Sequence, residues 1–84
     1  MKWEAINLDE QETLIIYDYY EKVVSIYTSR SIVYNKILKK IGQPTKKNIS
    51  FGKIYSAEWI IPFQDRKKIQ HAITLANMLM VKKS

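Results

Sequence analysis

Three consecutive cations, Arg66-Lys67-Lys68, follow Asp65 at the start of the last helical pattern in the chain. A helix beginning at about Asp65 puts all three in its first turn. The helix dipole disfavours cations there, and the unpaired backbone N–H groups favour anions. A phosphate at that turn would meet both the N–H groups and the basic side chains. The plain alternative is a solvated basic turn balanced by Asp65. A second basic set, Lys36, Lys39, Lys40, Lys46 and Lys47, is joined by Lys53 and Arg30. It predicts a patch running from a helix onto the connector that follows. Such patches neutralise phosphates and release counterions, so their binding to nucleic acid falls with salt. Lysines that a helix exposes in any case are the competing account.

The charge behind these sets is unevenly divided. Residues 1–28 hold six acids and two bases, a net of −4, and residues 29–84 hold twelve bases and two acids, a net of +10. A segment this basic attracts polyanions and acidic protein surfaces. Two arrangements could cancel the field: folding of the acidic part against the basic part, or pairing of one protomer's acidic third with another's basic part.

Aromatic residues could add stacking surfaces for bases. Tyr17, Tyr27 and Trp59 fall on strand patterns, and Tyr34 falls on an apolar helix face, so core packing is expected of these four. Tyr19 and Tyr20 fall in a loop and are expected to be exposed. Their neighbours Asp18 and Glu21 are acidic, which suits a protein partner better than nucleic acid. No catalytic constellation stands out. His71 is the only histidine, without metal-ligand spacing around it, and it is expected at the surface beside Lys67 and Lys68. No triad partners accompany the serines and threonines. Gly42 and Gly52 stand alone, so there is no phosphate-binding glycine loop. Glu58 and Asp65 are the only acids after Glu21, too few for a two-metal nuclease. The expectation is a protein that is not an enzyme and uses no metal or cofactor.

Eighty-four residues, 46% of them apolar, predict one small packed domain. The chain has no cysteine, which excludes disulfides and thiolate metal sites. Its longest apolar run, Trp59-Ile60-Ile61-Pro62-Phe63, is far short of a membrane span. The beginning of the chain lacks the apolar stretch of a secretory signal. No membrane contact is expected, and the expected location is cytoplasmic.

The basic sets need elements to hold them. Asp9 to Glu12 reads as an acidic turn. Thr13 to Tyr17 and Val23 to Thr28 read as strands of a hairpin whose loop is Asp18 to Lys22. Val33, Tyr34, Ile37, Leu38 and Ile41 share one face of a helix. Ser29 would cap it, with Thr28 as the competing cap, and Gly42 and Pro44 would end it. Lys39 and Lys40 would sit in its last turn, where cations suit the dipole. Gln43 to Lys47 reads as a connector. Asn48 to Phe51 and Lys53 to Ile61 read as two strands around Gly52, or as one long bulged strand. Tyr55, Ala57, Trp59 and Ile61 alternate along one side of it. Ile69, Ala72, Ile73, Ala76, Leu79 and Met80 make the apolar stripe of a second helix, which Asp65 could cap. The expected fold is a small α+β domain of order ββαββα, an antiparallel sheet with both helices on one face. Residues 1–28 form its acidic hairpin part and residues 29–84 its basic part.

Several segments together resemble small uncharacterised proteins of Gram-positive bacteria and their phages and mobile elements. They are Ile26-Tyr27-Thr28-Ser29-Arg30, Val33-Tyr34-Asn35, Lys39 to Lys46, Trp59 to Phe63 and Asp65 to Ile69. The resemblance spans roughly residues 14 to 80. It implies a mobile-element accessory protein, a kind that often binds nucleic acid or blocks a host defence nucleoprotein as anti-CRISPR proteins do. No functional residue transfers from the resemblance; the residues themselves carry three expectations for partners. The first is DNA, RNA or a nucleoprotein complex held by Arg30, Lys36, Lys39, Lys40, Lys46, Lys47, Lys53, Arg66, Lys67 and Lys68. The second is a host protein held by Tyr19 and Tyr20. The third is a homodimer paired through an exposed strand edge.

Overall fold

The computed structural model describes residues 2–3 and 11–80, and side chains over 11–77. Four antiparallel strands and two helices follow the order ββαββα, as the sequence predicts. They are β2 (Thr13–Asp18), β3 (Val23–Thr28), α1 (Ser31–Ile41), β4 (Lys46–Ser50), β5 (Lys53–Pro62) and α2 (Arg66–Met80). A two-residue strand, β1 (Lys2–Trp3), precedes them and pairs in parallel with Lys53 and Ile54. The sheet order is β1-β5-β3-β2, with β4 on the other edge of β5. The predicted acidic turn falls partly outside the described residues, with Asp9 and Glu10. So do the side chains of Trp3, Leu79 and Met80.

Register decides which side chains form the core. Ile15 pairs with Ile26 and Ile26 with Trp59, while Val24 pairs with Ile61 and Thr28 with Ala57. Directly paired residues share a face of the sheet, so these rows converge on one side. Both helices cover that side, and Val33, Tyr34, Ile37 and Ala72 complete a buried cluster with the strand residues. Ala72 and Ala76 are fully buried on α2, and their small side chains let the helices approach closely. The opposite face, with Leu14, Ile16, Val23, Ser25, Tyr27, Glu58 and Ile60, carries neither helix.

The start of α1 departs from expectation. Its N-cap is Arg30, without a side-chain cap hydrogen bond. The two predicted capping hydroxyls are used elsewhere. Ser29 Oγ accepts from the Glu12 backbone N–H at 2.8 Å, and the Ser29 N–H donates to the Glu12 carbonyl at 2.9 Å. Thr28 Oγ1 shares a buried 2.9 Å hydrogen bond with Thr13 Oγ1 and accepts from the Arg30 N–H. Both hydroxyls therefore tie the beginning of β2 to the end of β3. The far end of α1 follows the pattern. Gly42 adopts φ 113 and its N–H donates to the Leu38 carbonyl, while the Trp59 indole N–H donates to the Gly42 carbonyl at 2.9 Å.

The second hairpin corrects both ends of β4 and the direction of Tyr55, and Phe51, expected on the strand, lies in the turn after Ser50. β4 begins at Lys46, so the connector is shorter than expected and Lys46 and Lys47 lie on a strand. In β5 the row of Ala57, Trp59 and Ile61 points inward as predicted, but Tyr55 does not. A bulge pairs Asn48 with Ser56 and Ile49 with Ile54, which leaves Tyr55 without a cross-strand partner. The extra residue flips the alternation. Ile54 and Ser56 are both buried, and Tyr55 turns outward.

Candidate nucleic-acid interface

The helix layer holds cations and no acids. Lys36, Lys39 and Lys40 are exposed on α1, and Arg66, Lys67 and Lys68 are exposed on α2. Neither helix contains an aspartate or glutamate. Asp65 caps α2 as predicted, accepting from the Lys68 N–H at 3.4 Å. It also forms a 3.8 Å exposed ion pair with the Lys68 ammonium. Among the described residues, no carboxylate pairs with Lys36, Lys39, Lys40, Arg66 or Lys67. The described acids of the first third, Glu12, Asp18 and Glu21, belong to the β2–β3 hairpin and its approach.

Tertiary packing brings the two basic runs together. The end of α1 lies against the beginning of α2, and a shallow open groove of about 290 Å³ lies between them. It is lined by Lys40, Lys67, Gln70, His71, Thr74 and Leu75. Lys67, Gln70, His71 and Thr74 recur at i, i+3, i+4 and i+7, so they form one polar face of α2. Lys36 lies one turn before Lys40 on the same flank of α1. The groove can hold an anion between ammonium groups of two helices, with an amide, an imidazole and a hydroxyl as further hydrogen-bonding groups. His71 is exposed, as the sequence predicts. Its place beside Lys40 was not legible in the sequence, and neither were the roles of Gln70 and Thr74. The polar i, i+3, i+4, i+7 spacing from Lys67 is the signal that marks them.

The remaining predicted basic residues do not join the groove. Lys46 pairs with Glu58 and Lys47 with Ala57, so strand alternation sends them to opposite faces. Arg30 sits at the beginning of α1, about 15 Å along the helix from Lys40, and its Nε donates to Gln11 Oε1 at 3.2 Å. Lys53 starts β5, and a ten-residue strand separates it from the α2 end by about 30 Å. The ten predicted residues therefore divide into a helix-layer cluster, a strand pair and two outlying residues.

The tyrosine-bearing loop is open. Tyr19 and Tyr20 are 76% and 90% exposed. Asp18 Oδ1 accepts from the Tyr20 and Glu21 N–H groups and fixes the loop. Tyr19 stacks on Tyr17 at 6.4 Å and meets the edge of Phe63 at 5.9 Å. Tyr17 is about half exposed and Tyr27 lies half-buried on the face without helices, so both leave the core role expected of them, whereas Tyr34 and Trp59 keep theirs. Leu14 and Ile16 are also half exposed on β2, the outermost strand at that side of the sheet among the described residues.

Among the described residues, no three His, Asp or Glu side chains are close enough to hold a metal ion, and no helix is long and apolar enough to cross a membrane. Comparison of the chain with protein-family models, curated proteins and solved structures finds no match.

Proposed function

We propose that this chain is a non-enzymatic nucleic-acid-binding protein that grips a phosphate backbone across the groove between α1 and α2. One observation carries the reading: Lys40 and Lys67, from basic runs far apart in sequence, line one groove whose lining holds no acid. Lys36 and Lys40 lie on one flank, Lys67 and His71 on the other. Charged hydrogen bonds to phosphate oxygens position a nucleic acid without reading its sequence. Retention on a short DNA duplex, a DNA single strand and a matched RNA across a salt series tests the proposal. Affinity is expected to fall steeply with salt, with the slope counting the phosphates neutralised. A flat salt response in all three would remove the basic surface from the account.

A second reading concerns a protein partner at the loop of Tyr19 and Tyr20. Its support is the exposure of both rings on a loop fixed by Asp18. It fits an accessory protein that blocks a host nucleoprotein, with the loop touching protein and the groove touching nucleic acid. Tyr19→Ala with Tyr20→Ala is expected to abolish capture of such a nucleoprotein while the circular-dichroism spectrum stays unchanged and the Tm falls by only a few degrees, from the lost Tyr19 ring contacts. Undiminished capture would dismiss this reading.

A further inference from the structure

The tip of the β4–β5 hairpin joins an aromatic ring to a run of basic charge. Ser50 and Lys53 pair across it, leaving Phe51 and Gly52 as a two-residue turn. Their φ values are 52 and 75, the pair of left-handed residues that a type I′ turn requires. Gly52 adopts this conformation without strain. A bulky L-residue does not, and Asn or Asp is the usual occupant of the first position. Phe51 is also 97% exposed. The ring is thus held in an unfavourable backbone region and gains no burial from the fold.

The surroundings of the ring favour one kind of ligand. Residues 43–57 contain Lys46, Lys47 and Lys53 and no acid, and Glu58 pairs with Lys46 at the end of the ribbon far from the tip. Ile49 and Tyr55 are the hairpin's other exposed apolar side chains, 47% and 37% exposed, and Asn48, Ser50 and Lys53 interrupt them, whereas a membrane anchor calls for a contiguous apolar face. A flat ring with positive charge along its supporting ribbon suits a nucleotide, which offers a π-face and a phosphate together.

We propose that the β4–β5 hairpin is an insertion finger for unpaired nucleotides, with Phe51 stacking on a base and the ribbon lysines attracting the flanking phosphates. In a perfect duplex both faces of every interior base are already stacked, and opening a step costs a few kcal/mol. The finger therefore selects single strands, bulges and ends, and the α1–α2 groove supplies binding that is indifferent to pairing. This inference rests on the nucleic-acid reading and adds to it the structural class of the target.

Phe51→Asn tests the finger because asparagine suits the turn and keeps the hairpin folded. The probes are a DNA single strand carrying one 2-aminopurine, the matched duplex, and vesicles of anionic phospholipid. Phe51→Asn is expected to weaken single-strand binding about tenfold and to abolish the fluorescence change of the bound 2-aminopurine. The salt slope and the duplex affinity should be unchanged and the Tm raised, while Phe51→Trp should preserve stacking. The finger is overturned if Phe51→Asn binds the single strand as wild type does while Lys40→Glu with Lys67→Glu loses binding. That result would leave the groove intact. A loss confined to vesicle binding would overturn it in favour of lipid. No binding of any nucleic acid by the wild type would overturn the groove and the finger together.

Discussion

Lys40→Glu combined with Lys67→Glu is expected to lower nucleic-acid affinity at least a hundredfold at low salt and to flatten its salt dependence. Each lysine can donate a charged hydrogen bond to a phosphate oxygen, worth about 1.5 kcal/mol or more. Two lost contacts reach about a hundredfold, and the introduced carboxylates add repulsion. The slope of log affinity against log salt should fall by about 1.8 on duplex and about 1.4 on a single strand. Stability should barely move, because both side chains are exposed. The two changes also act on opposite ends of helix dipoles. Glutamate suits the first turn of α2 and disfavours the last turn of α1, a few tenths of a kcal/mol each way. Fluorescence anisotropy over a salt series gives both the affinity and the slope. On the duplex, where the β4–β5 finger takes no part, Lys46→Glu with Lys47→Glu is the comparison. An equal loss there would mean that the summed field binds nucleic acid and the groove has no special part. Lys22→Glu, on the acidic hairpin, should change little.

Trp59→Ala is expected to cost about 3–5 kcal/mol, which unfolds most of a domain this small at 25 °C. The side chain is 2% exposed, pairs with Ile26 across the sheet and lies 5.7 Å from the Tyr34 ring. Its indole N–H also holds the Gly42 carbonyl just beyond α1. The ring therefore joins the sheet to the helix end that carries Lys39 and Lys40. Trp59→Phe separates the two contributions. It keeps most of the apolar volume and removes the donor, and its expected cost is about 1–2 kcal/mol. Urea unfolding followed by circular dichroism measures both variants. A loss below about 2 kcal/mol for Trp59→Ala would show that the α1 end is held by other contacts. If the hydrogen bond positions the groove, folded Trp59→Phe should also bind nucleic acid more weakly.

Much of the fold was readable before the structure because its periods are strong. Val33, Tyr34, Ile37 and Ala72, Ala76 mark helix faces that cannot stay in water, and the β-branched runs of β2 and β3 mark a hairpin. The errors fell where a side chain had two competing partners. Ser29 and Thr28 are good N-caps, but the approaching start of β2 offered their hydroxyls buried partners distant in sequence. Tyr55 fits a strict alternation, but the bulge at its position leaves it unpaired and outside. Phe51 gave no signal by type. Only the turn geometry shows that its ring projects from a left-handed position.

The sequence by itself determined the charge division, the order of elements, the cap at Asp65 and the exposure of Tyr19 and Tyr20. Each follows from composition or from spacings within about one turn or one strand, where local sterics and hydrogen bonding dominate. Only the tertiary structure decided that Lys40 meets Lys67 and His71 while Arg30 and Lys53 stand apart. That outcome depends on helix packing over Ala72 and Ala76 and on strand register, both set by burial between residues distant in the chain. One residue of register moves a lysine to the other face of a sheet, as Lys46 and Lys47 demonstrate. Charge count can therefore raise the expectation of a polyanion partner, but packing chooses which charges share a surface.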